Sequence, residues 1–259
     1  MLTFKRVNIT FLVLIVLFTI LKIKIAISFW ILLLILFMWL LFTALGSFNI
    51  RWNYFLTAHH KNDKVRENVI ALTFDDGPHP EFTPMVLELL QKFDAKATFF
   101  LIGKNVEKYP DLVKDIVNKG HIIGNHSYKH SNNYGFLSTN SLISDLNKNK
   151  QLIYDTVGLK MKFFRPPFGV TNPKITKAIL SLKLKTFGWS IRTYDTTAKK
   201  TEVIVSRVKA KLKKGEVILM HDTSKKSVEA LDKVLNYMNE KNLKSITLTQ
   251  LFSYEAYEK

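Results

Sequence analysis

The stretch Val69–Ile70–Ala71–Leu72–Thr73–Phe74–Asp75–Asp76–Gly77–Pro78 decides how the rest of the chain is read. Val69 to Phe74 (VIALTF) is a continuous run without polar alternation, the pattern of a strand buried on both faces. Strands of that kind belong to parallel sheets covered by helices. Two adjacent carboxylates and a Gly-Pro pair follow immediately. An Asp-Asp-Gly-Pro stretch is ordinarily a turn, but here it lies past the C-terminal end of a buried strand, where α/β folds keep their reactive groups.

Outward from this strand the pattern alternates. Thr83 to Phe93 reads as an amphipathic helix, and ATFFLIG at Ala97 to Gly103 as a second strand. Pro110 to Lys119 is a helix closed by Gly120, and HIIGNH at His121 to His126 a third strand. A long helix, Ser138 to Val157, precedes a fourth strand starting at Phe163. Asn172-Pro173 caps and opens a helix to about Leu182. Then come a fifth strand (Lys185 to Ile191), a helix from Thr201 to Gly215, a sixth strand (Glu216 to Asp222), a helix from Val228 to Lys241 and a seventh strand (Ser245 to Leu251). Regular β-α alternation predicts an α/β fold with about seven parallel strands, open or closed as a barrel.

The front of the chain is a different material. Residues 1–50 hold no acid and only four bases, Lys5, Arg6, Lys22 and Lys24. Ile25 to Gly46 carries no charge and is roughly 33 Å long as a helix, enough to span a bilayer. Val7 to Leu21 is shorter, roughly 22 Å. Either both runs span as a hairpin with Lys22 and Lys24 at the turn, or only the second spans. Both arrangements put those lysines in the cytoplasm and everything after Gly46 on the outer side of the cell membrane. The expected division is a bilayer anchor over 1–50 (helices at about 7–21 and 25–46), a linker over 51–66 and an α/β domain over 67–259.

Composition narrows the functions. In 259 residues, 38 Lys and Arg stand against 21 Asp and Glu, a net charge of +17, with no Cys. Thiolate nucleophiles and thiolate zinc sites are excluded, so any metal must be held by His, Asp or Glu. The bases are spread along the helices, which disfavours a nucleic-acid partner. The chain has no G-x-G-x-x-G or phosphate loop, so no nucleotide is expected.

Polar groups recur where strands end. His126 and His130, four apart, follow the third strand; Arg165-Pro166-Pro167-Phe168-Gly169 ends the fourth. Trp189, Arg192 and Asp195 lie in and after the fifth, and His221 ends the sixth. Each is weak evidence alone. With the carboxylates of the first strand, such groups stand at the same end of five of the strands, and together they mark a site.

At this point the chain resembles the polysaccharide deacetylase family (carbohydrate esterase 4, NodB homology). The matching stretches are TFDDG at Thr73 to Gly77, HSYKH at His126 to His130, RPPFG at Arg165 to Gly169 and LMH at Leu219 to His221. The resemblance covers about residues 67–255. It implies a distorted (β/α) barrel, one divalent metal ion, usually Zn2+, and hydrolysis of N-acetyl groups on a chitin-like or peptidoglycan-like glycan. Asp76, His126 and His130 form a two-His-one-carboxylate set that leaves a coordination position open. A metal there lowers the pKa of water and polarises the acetamide carbonyl. Asp75 is placed as the base. By resemblance Arg165 pairs with Asp75, and the Phe168 N–H holds the oxyanion. His221 is the candidate acid, oriented by Asp195. A glycan-binding or assembly protein with little turnover is the alternative, against which the intact Asp75 and His221 argue.

The fifth-strand motif departs from the family. Arg192 stands where an acid is usual, and Thr196 where a Trp walls the acetyl pocket. Arg192 is expected either to bridge to Asp195 or to point into the substrate groove toward an anionic substituent.

Overall fold

A computed structural model describes residues 2–258. Two apolar helices, α1 (Phe4–Lys24) and α2 (Trp30–Phe48), come first. They form an antiparallel hairpin. The Trp39 indole N–H donates to Asn8 Oδ1 (2.8 Å), Phe11 lies against Phe42, and the Phe4 N–H donates to Tyr54 O (2.9 Å). Both helices are long and apolar enough to cross a membrane, and their apolar side chains are largely exposed. The hairpin docks on the rest of the chain through Ser47, whose hydroxyl donates to Thr171 O (2.6 Å). The Tyr54 ring lies on Gly46, where any side chain would collide with it.

Next come β1 (Ala58–His59), β2 (Val69–Asp75), α3 (Phe82–Lys92), β3 (Ala97–Leu101), α4 (Gly103–Lys108), α5 (Pro110–Asn118), β4 (Ile122–Asn125) and α6 (Thr139–Val157). β5 (Phe163–Phe164), α7 (Pro173–Ser181), β6 (Lys185–Phe187), β7 (Ile191–Arg192), α8 (Thr201–Lys211), β8 (Val217–His221), α9 (Lys225–Glu240), β9 (Lys244–Ser245) and α10 (Leu248–Phe252) complete the order. The strands run β1-β6-β5-β4-β3-β2-β8-β7, with β9 against the start of β2, and every strand pairing is parallel.

The two ends of this order are joined by one short segment. β6 pairs with β5, and a few residues later the same chain, as β7, pairs with β8. At the bend the Gly188 N–H donates to His59 O (2.9 Å) and the Ser190 N–H to Val217 O (3.0 Å). The expected fifth strand is thus split, and its kink curls the sheet into a distorted barrel.

The two faces of each strand sort by environment. Phe74, Phe99, Ile218 and Met220 face outward onto Val86, Ile116, Val208 and Leu231 of the covering helices. Ala71, Phe100, Phe163, Phe187 and Val217 face inward onto Leu248 and Leu251 of α10, which plugs the barrel. The strands therefore offer reactive groups only at their C-terminal ends.

Two sequence expectations are corrected. The seventh strand, Ser245 to Leu251, is a two-residue strand followed by α10, because Thr247 and Gln250 form a capping box that starts a helix. Gly103, expected to end the second strand, instead opens α4. The 51–66 segment contributes β1 to the sheet, and its His59 ring lies among Phe187, Phe252 and Tyr254.

Candidate active site

Asp75 and Asp76 end β2 and diverge. Asp75 keeps the strand direction and is buried inside the barrel; Asp76 turns through a positive φ of 73°. The Asn105 side chain donates to Asp76 O (2.8 Å) and pins that turn.

Arg165, fully buried, organises the floor. Its Nη1 donates to Asp75 Oδ1 (2.7 Å) and Thr73 Oγ1 (2.8 Å), Nη2 to Gly188 O (2.7 Å) and Nε to Phe187 O (3.3 Å). The guanidinium also lies over the Phe100 ring, 4.3 Å from its centroid. One side chain thus ties β2 and β5 to the kink that closes the barrel.

The loop after β4 presents both histidines. The Asn125 side chain accepts from the Ser127 N–H (2.9 Å), and Asp145 of α6 accepts from the N–H groups of Tyr128 (2.7 Å) and Lys129 (3.2 Å). His126 Nδ1 lies 2.8 Å from Arg165 O, a partner that can only accept. Nδ1 therefore carries the proton, and Nε2 is left with its lone pair facing the site.

Asp76 Oδ1 stands 3.4 Å from His126 Nε2 and 3.3 Å from His130 Nε2, buried and without a hydrogen-bond donor among the described residues. A tetrahedral ion with bonds of about 2.0–2.1 Å has ligand-to-ligand edges of about 3.3 Å. The three ligand atoms all lie within 4.8 Å of one another. The orphaned oxygen and these spacings fit a divalent metal. Burial works against the charge on Asp76, but His126, His130 and His221 outweigh it and hold the carboxyl below its usual range. Burial likewise opposes the charge on His126, yet Asp75 and Asp76 raise its pKa; at His130 burial and the neighbouring His126 lower it.

His221 faces the same centre from β8. Its Nε2 is 3.8 Å from Asp76 Oδ2, while Nδ1 is 2.9 Å from Asp195 Oδ1. Asp195 is fully buried and also accepts from the His221 N–H (2.8 Å), Thr193 (2.9 Å) and Ser227 (2.9 Å). Burial disfavours the imidazolium, but the hydrogen bond and charge of Asp195 outweigh it and raise His221 to about 9.

Phe168 adopts φ 59°, a left-handed conformation uncommon outside glycine, and its half-exposed ring packs 4.7 Å from His130. Its N–H meets no acceptor among the described residues. Trp189 packs against Gly169 and lies 5.7 Å from the Arg165 guanidinium. Arg192 does not join this group. No ion pair links it to Asp195; its guanidinium stacks over Tyr194 (4.8 Å) and Trp189 (5.6 Å).

The structure gives supporting roles to residues that the sequence reading left without one: Thr73, Asn105, Asp145, Thr193 and Ser227. Asp222 is another, with a weak signal in its place directly after His221. It is fully buried, accepts from the Thr83 hydroxyl, and is pushed up to about 7 by burial. A side chain at Gly77 would run into its carboxylate.

The comparisons with known proteins agree with this geometry. A family model for polysaccharide deacetylase matches residues 62–187. A peptidoglycan-N-acetylglucosamine deacetylase of Bacillus cereus is 37% identical over 187 residues, covering 71% of this chain and 68% of that one. PgdA of Listeria monocytogenes, a peptidoglycan-N-acetylglucosamine deacetylase, is 33% identical; the match takes in 71% of this chain but only 38% of that longer one. The crystal structure of the Bc1960 peptidoglycan N-acetylglucosamine deacetylase superposes with a TM-score of 0.73 at 34% identity, covering 78% of this chain and 94% of that one. Shared fold and this level of identity over most of a relative's length lead to one assignment: the chain belongs to the polysaccharide deacetylase family of hydrolases.

Proposed function

We propose that this enzyme is a metal-dependent deacetylase of an N-acetylated aminosugar polymer, peptidoglycan by analogy with its relatives, anchored in the cell membrane by the α1/α2 hairpin with its catalytic domain on the outer side. The observation that carries the reading is the Asp76, His126 and His130 triangle, flanked by Asp75 on one side and His221 on the other. Two imidazoles and one carboxylate at a tetrahedral edge suit Zn2+. Held by Asp76, His126 and His130, such an ion would supply Lewis-acid polarisation of the acetamide carbonyl and a lowered pKa for water.

The chain's own groups do the rest. Arg165 occupies Asp75 Oδ1, so Oδ2, 3.8 Å from His126 Nε2, is left to take the proton of the attacking water. The tetrahedral oxyanion receives the free N–H of Phe168. Collapse expels an amine, a poor leaving group until protonated. His221 Nε2 supplies that proton, and Asp195 fixes the ring and stabilises its charged form. Acetate and a free aminosugar result. Trp189 braces the Arg165 and Gly169 end of the site.

The apolar exposure of α1 and α2 and the lysines at their turn support the anchored topology. A tethered binder needs neither Asp75 nor the His221–Asp195 pair. The test is direct: the purified chain, supplied with Zn2+, is incubated with chitooligosaccharides and with peptidoglycan, and released acetate is followed by mass spectrometry. No acetate from either substrate would refute the reading.

A further inference from the structure

Arg192 leads away from the catalytic centre to a second cavity. Where the end of α2 meets the catalytic domain, a cavity of about 260 Å³ is lined by Leu45, Phe48, Arg51 and Trp52 on one side, and by Arg192 and Lys211 among others on the other. Among the described residues no carboxylate lines it. A fourth cation, Arg207, stacks on the same Tyr194 ring as Arg192, at 4.7 Å and 4.8 Å. Among the described residues none of these four cations has a carboxylate partner, although other bases of the domain do. All four are exposed, and like charges gathered at one place without a carboxylate attract an anion from outside the chain.

The cavity also has a direction. Leu45 and Phe48 are exposed and continue the apolar surface of α2, and Arg51 follows three residues after Phe48. Along this stretch the apolar Leu45 and Phe48 lead within two turns of chain to Arg51 and Trp52, and Trp189, Tyr194 and Arg192 face them across the cavity. That order matches a lipid at a bilayer surface: acyl chain, interface, phosphate. Arginine suits the last position because its planar fork binds phosphate oxygens in pairs.

The geometry points to a binding site for the phosphate of an anionic phospholipid, formed jointly by the end of α2 and the catalytic domain through Arg51, Arg192 and Lys211. It rests on the membrane-anchored reading above. The bound lipid holds the domain against the bilayer in one orientation. Trp189 is the wall between this cavity and the Arg165 end of the active site.

The test uses the full chain in mild detergent and native mass spectrometry, with phosphatidylglycerol, phosphatidylcholine and inorganic phosphate as separate probes. Wild type is expected to retain phosphatidylglycerol at least tenfold over phosphatidylcholine. The triple variant Arg51→Ala, Arg192→Ala, Lys211→Ala loses that preference, whereas Lys108→Ala, Lys241→Ala, Lys244→Ala, an equal loss of charge outside the cavity, keeps it. Lys211→Glu, an exposed substitution on α8, gives the same loss if the triple variant folds poorly. Equal retention of both lipids by wild type, an unchanged preference in Lys211→Glu, or displacement of the lipid by millimolar inorganic phosphate would overturn the proposal. Membrane fractionation of the same variants separates the two readings. A chain absent from the membrane fraction refutes the anchor, while a membrane-bound chain without lipid preference refutes only this site.

Discussion

Removing Arg165 should cost more stability than removing any other polar side chain of the site. In Arg165→Met the aliphatic volume is roughly kept, but Asp75 loses its 2.7 Å partner inside the barrel, and the carbonyls of Phe187 and Gly188 lose their donors. Breaking a buried ion pair from one side costs about 3–5 kcal/mol. At about 2–4 °C per kcal/mol for a protein of this size, the melting temperature should fall by about 6–20 °C. The assay is a thermal melt of the full chain in detergent, followed by tryptophan fluorescence at fixed metal concentration. Asp75→Asn removes the other half of the pair. If the pair is coupled as drawn, the double variant is less destabilised than the sum of the singles by about 1.5–3 kcal/mol, the range of a hydrogen bond to a charged group. Additivity within about 0.5 kcal/mol would refute the reasoning and mean that Arg165 acts mainly through the kink carbonyls.

Three further outcomes are expected. Asp75→Asn should keep a near-stoichiometric metal by elemental analysis while losing nearly all turnover, whereas His126→Ala and His130→Ala lose both; loss of metal in Asp75→Asn as complete as in His126→Ala would exchange the roles of the two carboxylates. His221 is raised from 6.5 to about 9, so its charged form contributes stability that is fully present below about 6.5 and lost as pH rises through about 9; Asp195→Asn should move the alkaline limb of kcat/KM down from near 9 toward 6.5, and an unmoved limb would remove His221 as the acid. A single cysteine in this Cys-free chain, Asn147→Cys on the exposed face of α6, should react with a membrane-impermeant maleimide from the outer side, and labelling only after lysis would place the domain in the cytoplasm.

Features of this protein that depend on local pattern are legible in the order of its residues. An unbroken apolar run gave β2, helical periodicity gave α3, α5, α6 and α9, and charge-free length marked the α1/α2 segment. Motif spacing gathered Asp75, Asp76, His126, His130, Arg165, Asp195 and His221, because a parallel α/β fold delivers the ends of its strands to one place. What the sequence could not carry is whatever depends on partners remote along the chain. The split of the fifth strand follows from Gly188 bonding to β1 and Ser190 to β8, segments respectively far before it and beyond the whole of α8 after it. The direction of Arg192 was decided by the aromatic faces of Trp189 and Tyr194, so that it neither bridges to Asp195 nor joins the catalytic ring. Asp195 had no need of it, since His221, Thr193 and Ser227 already fill its carboxylate. Period and spacing are properties of neighbours in the chain; closure of a barrel and the choice among competing contacts are settled only when distant segments meet.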